Sequence, residues 1–393
     1  MKIKCPCCQA ENKKKVIYFK QECPALNNVV YKTKVEASNC SVGNVELVHC
    51  PECQFVYNCR YDGKLLKYDQ DYNSVRNFSS TYRAYLDHLV KLCSIGIDKY
   101  KRVLEIGCGD GEFLKKFCTE TGACGFGYDA SYHGEENYKD NVVFHKERFI
   151  PSNKHDPFDA VFLRHILEHI PNPYYFLKEI CKSDRILPGT KLWIEVPDFE
   201  WIVKNGVFYD ITYEHCNYFT KPVLTNLLNK LGFTILSFKN VFDSQYLLVE
   251  AIFQQEEFTD QKIGTYSLSI QNIDRVFEEN KKRFQKFVEE GVDLGKMKIL
   301  PILYASREPN VPSRYLNESD IHNVMRPDKT LSNEKISKAS RGLAILLNQY
   351  EDINFWLKRA TANPDSFYGL LAAQILGCQN PEIFAKIEAP SLL

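Results

Sequence analysis

Val103-Leu104-Glu105-Ile106-Gly107-Cys108-Gly109-Asp110-Gly111-Glu112-Phe113-Leu114 is the stretch that decides the fold. An apolar run that reads as a buried strand meets three glycines, and an apolar-periodic segment that reads as a helix follows. Glycines at such a junction let backbone lie against a ligand where a side chain would block it. The dinucleotide fingerprint Gly-x-Gly-x-x-Gly is broken, because the third glycine comes one residue early and Glu112 stands in its place. Glu105 and Asp110 flank the loop, and carboxylates there would repel a pyrophosphate. They suit a ligand that carries an ammonium and a sulfonium, which is S-adenosylmethionine. Gly127-Tyr128-Asp129-Ala130-Ser131 adds an acidic residue at a second strand end, about 20 residues on, as ribose recognition requires. The bland alternative is a tight strand–helix turn with no ligand.

Around this stretch the chain alternates strand and helix from residue 99 to about 255, in the manner of a doubly wound α/β sheet. Strands are expected ending at Asp129, at Asn141–Phe144, at Asp159–Leu163 and at Lys191–Val196, with Leu187–Thr190 as a turn before the last of these. Pro171, Asn172 and Pro173 break the chain and start a helix. A helix near Val223–Leu231 stops at Gly232, and Phe233–Phe238 with Tyr246–Phe253 form a closing hairpin.

Residues 1–60 are punctuated by cysteine. Cys5-Pro6-Cys7-Cys8 and Cys50-Pro51-Glu52-Cys53 each offer Cys-x-x-Cys, and four thiolates in a tetrahedron are what a structural zinc needs. Cys7 can replace one partner in the first knuckle. Cys23, Cys40 and Cys59 read as packed small residues. A redox pair and metal-free buried cysteines are the rival readings. Residues 61–98 hold a tyrosine-rich helical stripe around Tyr82–Val90 that reads as a lid or linker, with Tyr72 as a lid candidate.

Fifteen cysteines without a signal-peptide apolar region read as reduced thiols in a cytoplasmic protein rather than a disulfide framework. The 50 basic and 50 acidic residues cancel, so nothing global points to nucleic acid or an anionic membrane. No apolar run is long enough to span a bilayer.

Tyr209-Asp210-Ile211-Thr212-Tyr213-Glu214-His215-Cys216-Asn217-Tyr218-Phe219-Thr220 lies past the fifth strand, beyond the carboxyl ends where such sheets bind ligands. His165 and His169 follow the fourth strand on the same side. An acceptor of a methyl group must lose a proton to become nucleophilic, and an imidazole with a pKa of about 6.5 suits that task. His215 is therefore the expected base, Glu214 its orienting partner and His169 a second catalytic candidate. The alternative for either histidine is a capping or core role, and Cys216 is a runner-up nucleophile.

The ordered set of Cys5/Cys8, Cys50/Cys53, Glu105–Gly111, Leu167-Glu168-His169-Ile170-Pro171-Asn172-Pro173, Glu195-Val196-Pro197-Asp198 and Glu214-His215 with Tyr218-Phe219 is similar to a known family. It resembles class I S-adenosylmethionine-dependent methyltransferases with an N-terminal zinc-binding domain, whose relatives include the sugar C-methyltransferases of deoxysugar pathways. The resemblance covers residues 1 to about 255. It implies a Rossmann-like, seven-stranded sheet with the last strand antiparallel. It also implies a cofactor held by Glu105, Gly107, Cys108, Gly109, Gly111 and Asp129, zinc on Cys5, Cys8, Cys50 and Cys53, and a base in the Glu214-His215 pair. The acceptor it implies is a small molecule, such as a nucleotide-linked sugar. Thr212 stands where that family carries a tyrosine, and Tyr213 is adjacent to Glu214.

Residues 256–393 read as mainly helical, with a possible edge strand at Lys298–Tyr304. Trp356–Ala360 and Asn363–Ala373 resemble the helical superhelix of soluble lytic transglycosylases, without that family's catalytic domain, which leaves two readings of this region: a fused or rearranged segment, or a passive helical appendage. A catalytically lapsed cofactor-binding scaffold is the competing reading of the whole chain.

Overall fold

The computed structural model describes residues 2–26, 39–66, 80–151, 156–254, 273–279 and 282. Tyr72, the expected edge strand at Lys298–Tyr304 and the transglycosylase-like stretch lie outside them. Among the described residues, those of Met1–Leu26, Val42–Tyr72 and Leu86–Asp274 form one compact unit, and the remainder fall in a second.

The N-terminal strands are β1 (Lys2–Lys4), β2 (Glu11–Lys13), β3 (Val16–Pro24), β4 (Val42–His49) and β5 (Val56–Asn58). Helix α1 (Ser80–Cys93) follows, with Leu86, Leu89, Val90 and Cys93 on its buried stripe. Then come β6 (Arg102–Ile106), α2 (Glu112–Thr121), β7 (Cys124–Tyr128), β8 (Asn137–Tyr138), β9 (Val142–His145), β10 (Phe158–Arg164), α3 (Pro173–Cys181) and β11 (Ile186–Pro197). The described order closes with α4 (Phe199–Lys204), β12 (Asn217–Tyr218), α5 (Lys221–Lys230), β13 (Phe233–Val241) and β14 (Tyr246–Phe253).

Among the described residues, three sheets result. The large one has the order β13-β14-β11-β10-β6-β7-β9-β8. Strands β9, β7, β6, β10 and β11 are parallel, and β14 runs antiparallel to β11. This is a mixed α/β sheet of the Rossmann-like kind. It holds eight strands, not seven, because the two-residue β8 adds itself antiparallel to β9 at the edge. Asn137 and Tyr138 carry no run of apolar residues, so nothing in the sequence marks them as strand. The expected turn at Leu187–Thr190 lies inside β11. Phe158 pairs with Ile186 and Ala160 with Lys191, so the extra residues form a bulge, with Gly189 at φ 96°.

Buried positions alternate sides of this sheet. Val103, Leu104, Val161, Leu163, Ile194 and Val249 form its apolar centre. Helix α2 lays Phe113, Leu114, Phe117 and Cys118 on one face. Gly111 at φ 76° starts that helix and Gly122 at φ 72° ends it, the latter donating its N–H to Cys118 O. Helix α3 begins as its sequence predicts: Asn172 accepts from the Tyr175 N–H and Pro173 occupies the first turn.

The second sheet has the order β12-β5-β4-β3. Its edge strand β12 comes from the middle of the chain, immediately after His215. Asn217 pairs with Tyr57 and Tyr218 with Val56, and the Asn58 N–H donates to Cys216 O at 2.8 Å. The cysteine-rich segment therefore shares a sheet with the histidine loop, and both belong to the one compact unit. No helix of the described residues is long and apolar enough to cross a membrane.

Candidate active site

Register fixes the site before any side chain is considered. Ile106 pairs with Leu163 on one side and with Tyr128 on the other, all in parallel strands. Gly107, Asp129 and His165 therefore leave the carboxyl edge of three neighbouring strands together. In the turn, Gly107, Gly109 and Gly111 sit at φ 74°, 57° and 76°, where any other residue would be strained. Both the Gly107 and the Cys108 N–H donate to Tyr128 O, and the Gly111 N–H donates to Cys108 O. A Cβ on residue 107 would collide with Ile166, and one on residue 111 with Phe144. Two of the three glycines are thus required by the protein's own packing as well as by backbone conformation.

Asp129 holds the turn from the next strand. Its Oδ2 accepts the Gly109 N–H at 2.9 Å, and its Oδ1 accepts the Ser131 N–H and hydroxyl at 2.7 and 2.6 Å. A carboxylate has roughly four lone-pair sites, so Asp129 keeps acceptor capacity for a ligand hydroxyl. Glu105 is 1% exposed, and its Oε2 has no hydrogen-bond partner. Burial drives its carboxyl up to about 8, against the pull of Arg164. An orphaned, buried acidic oxygen at the glycine turn fits a cofactor that brings an ammonium donor.

Behind the turn runs a buried ionic chain. Arg164 Nη1 lies 3.6 Å from Glu105 Oε1, and its Nε donates to Glu195 Oε2 at 2.8 Å. The guanidinium also stacks over Phe113 at 4.4 Å. His165 Nε2 lies 3.1 Å from Glu195 Oε1, and its Nδ1 is 3.5 Å from Glu168 Oε1. His165 holds φ 52°, and its N–H donates to Glu195 O. A non-glycine residue in that region marks a constrained position. For Glu168, burial works to raise the carboxyl, but His165, His169 and His215 outweigh it and hold it below its ordinary value.

Past His165 the chain makes one 3-10 turn, Leu167–His169. His169 Nδ1 lies 3.0 Å from Glu214 O. A carbonyl only accepts, so Nδ1 carries the proton and the Nε2 lone pair points elsewhere. The His169 and His215 rings meet edge to face, 4.9 Å between centres. Asn217, buried, donates its Nδ2 hydrogens to Leu167 O and Ile170 O, which ties the two histidine segments together. The geometry therefore brings His169 and His215 into contact, with Glu214 engaged through its main-chain carbonyl.

The four expected metal ligands also converge. Cys5 Sγ is 3.6 Å from Cys53 Sγ, Cys8 Sγ is 3.7 Å from Cys50 Sγ, and all four lie within 4.8 Å of one another. A tetrahedron with metal–sulfur bonds of about 2.3 Å has sulfur–sulfur edges of roughly 3.8 Å. The two knuckles have the same design. Cys5 N donates to Ala10 O and Cys50 N to Phe55 O, and each knuckle ends in a glutamine at positive φ, Gln9 and Gln54. The side chains of those glutamines donate to Pro6 O and Pro51 O. Cys7 lies outside the cluster, and the fourteen described cysteines are all free thiols.

A family model for a methyltransferase domain matches residues 78–237, less than half of the chain. No curated protein matches the chain. Among solved structures, the N,N-8-amino-8-demethyl-D-riboflavin dimethyltransferase from Streptomyces davawensis is 20% identical with a TM-score of 0.37, and the match covers 44% of this chain and 54% of that one. The putative S-adenosylmethionine-dependent methyltransferase from Listeria monocytogenes is 15% identical with a TM-score of 0.34, covering 44% and 100%. The Burkholderia thailandensis 1,6-didemethyltoxoflavin-N1-methyltransferase, solved with its substrate and S-adenosylhomocysteine, is 17% identical with a TM-score of 0.35, covering 53% and 99%.

Two residues singled out in the sequence do other work. Cys216 is buried with its thiol aimed at Glu168 O, and burial pushes that thiol well above its ordinary range, which disfavours the thiolate a nucleophile needs. The Tyr213 hydroxyl accepts the Asp62 N–H at 2.7 Å, and its ring fills the space beside Gly43. It anchors the N-terminal segment. From sequence, Glu168 and Glu195 stand only within the motifs of the resemblance, and neither they nor Arg164 receive a role. The signal was present, since Arg164 and the glutamates at 105 and 195 interrupt apolar runs in three strands and their charges are complementary.

Proposed function

We propose that the chain is an S-adenosylmethionine-dependent methyltransferase that acts on a small, sugar-derived acceptor, with His215 as the general base. The observation that carries this reading is the placement of the His169–His215 pair. It sits on the loops beyond the carboxyl edge from which the glycine turn and Asp129 also emerge. The bound cofactor would supply a methyl group on a sulfonium, whose leaving group is already good.

The protein's own task is then to position and to accept a proton. Glu105 would meet the cofactor's ammonium, Asp129 its ribose hydroxyls, and the main chain at Gly107, Cys108, Gly109 and Gly111 would line it. The Glu214 carbonyl fixes the tautomer and orientation of His169, and His169 packs against His215. His215, half-buried at the end of this series, would take the acceptor's proton.

Zinc on Cys5, Cys8, Cys50 and Cys53 would be structural, closed on four thiolates. It would support the histidine loop through β5, which begins three residues after Cys53 and pairs with β12. Four such thiolates need reducing surroundings, which fits a cytoplasmic protein.

The test is turnover with a labelled methyl donor against a metabolite extract. His215→Ala should lower the rate by about 10²- to 10⁴-fold, the usual weight of a general base, and leave cofactor affinity nearly unchanged. Undiminished turnover in that variant would remove His215 from the reaction.

A further inference from the structure

A second group of potential metal ligands lies apart from the cysteines. One carboxylate oxygen of Glu168 and one ring nitrogen each of His169 and His215 lie within 4.8 Å of one another. We propose that Glu168, His169 and His215 form a binding site for a divalent first-row transition cation.

Three observations carry this inference. Glu168 is 2% exposed, and its Oε2 has no hydrogen-bond partner, while its Oε1 faces His165. A buried carboxylate oxygen left without a donor is costly, and a cation would satisfy it. His169 is already oriented as a ligand would be, because its Nδ1 donates to the Glu214 carbonyl at 3.0 Å. Metal-binding histidines are commonly oriented in this way by an outer carbonyl or carboxylate. His165, at its constrained φ and against Glu195, plays the same outer part for Glu168.

The donor set defines the class of ion. Two imidazoles with one carboxylate suit Zn²⁺, Co²⁺, Fe²⁺ or Ni²⁺ better than Mg²⁺ or Ca²⁺, which prefer oxygen-only sets. Three protein donors leave coordination positions open for water or an oxygen of a small molecule. The cation and an acceptor's proton would compete for the same His215 lone pair. Cation binding itself does not depend on the methyltransferase reading.

The experiment uses the full chain with its cysteine site loaded with zinc. Co²⁺ is titrated by equilibrium dialysis while the visible spectrum is recorded. One further equivalent of cobalt is expected, with ligand-field bands and without the charge-transfer bands of cobalt thiolate. Glu168→Ala, His169→Ala and His215→Ala should each weaken that uptake at least tenfold, and His133→Ala, at an exposed position elsewhere, should not. If an alanine variant loses its circular-dichroism spectrum, His215→Gln replaces it and must weaken uptake as well. No cobalt beyond the cysteine site, thiolate bands alone, or full affinity in both histidine variants would overturn the proposal. None of these readouts requires methyl transfer, so failure here and failure of the enzymatic reading are distinct results.

Discussion

Replacing Arg164 with methionine probes the ionic chain behind the glycine turn. The methionine keeps the bulk of the side chain and removes the guanidinium that lies between Glu105 at 3.6 Å and Glu195 at 2.8 Å. Breaking a buried pair while leaving its partner costs about 3–5 kcal/mol, because the remaining charge is uncompensated. The lost stacking over Phe113, at 4.4 Å, adds roughly 1 kcal/mol. The total is about 4–6 kcal/mol, a large fraction of an ordinary domain's stability. Urea unfolding of both proteins measures it. The deficit should also grow with pH. Arg164 pulls the Glu105 carboxyl down from where burial alone would put it, so without Arg164 that group rises beyond about 8. A carboxyl raised on folding contributes stability at low pH and loses it as pH climbs through the folded value. The variant's loss therefore extends to higher pH than the wild type's. A deficit below about 1 kcal/mol, or one that is flat between about pH 5 and about pH 9, would refute the ionic-chain argument.

Three further outcomes are expected. Gly107→Ala should destabilise by about 2–4 kcal/mol, from the left-handed backbone and the collision with Ile166. In a double-mutant cycle with Ile166→Ala, at least about 1 kcal/mol of that loss should be recovered as coupling, and additivity would contradict the collision. Glu105→Gln should flatten the fall in stability as pH rises from 4.5 to about 8, because the folded wild type holds a proton there that the unfolded chain has released. Equal slopes in urea titrations would count against a raised Glu105. Cys53→Ser should lower zinc content by mass spectrometry by one atom per chain. That loss is the one atom of the cysteine site, and the substitution should also speed hydrogen exchange at the Asn58 amide, which donates to Cys216 O. Unchanged exchange would uncouple the cysteine site from the histidine loop.

Much of this architecture was legible in the chain because its signals are local. The glycine turn, the Asn172-Pro173 helix start and the Gly232 stop each depend on residues within one turn of each other, and each lies where its chemistry places it. The two cysteine knuckles were legible for the same reason. Reading failed where pairing is non-local or where a local signal has two meanings. Leu187-Pro188-Gly189-Thr190 reads as a turn, yet its residues are absorbed as a bulge in β11, held on one side by the Thr190 hydroxyl bonding Phe158 O. Nothing in Asn217-Tyr218 announces that it will complete a sheet begun some 160 residues earlier with Val56–Asn58, since register across that distance is set by tertiary packing. Glu168 was hidden by its neighbours, because an acid between leucine and histidine in an apolar run looks like a solvated position. Only the fold shows it buried beneath two histidines.

Isothermal titration of the intact, folded chain with S-adenosylmethionine decides whether the glycine turn and Asp129 hold that cofactor. Saturable binding at one site is expected, displaced by S-adenosylhomocysteine and weakened at least tenfold by Asp129→Ala. A folded protein that gives no binding heat over a range of temperatures, or one that binds as well without Asp129, would contradict it.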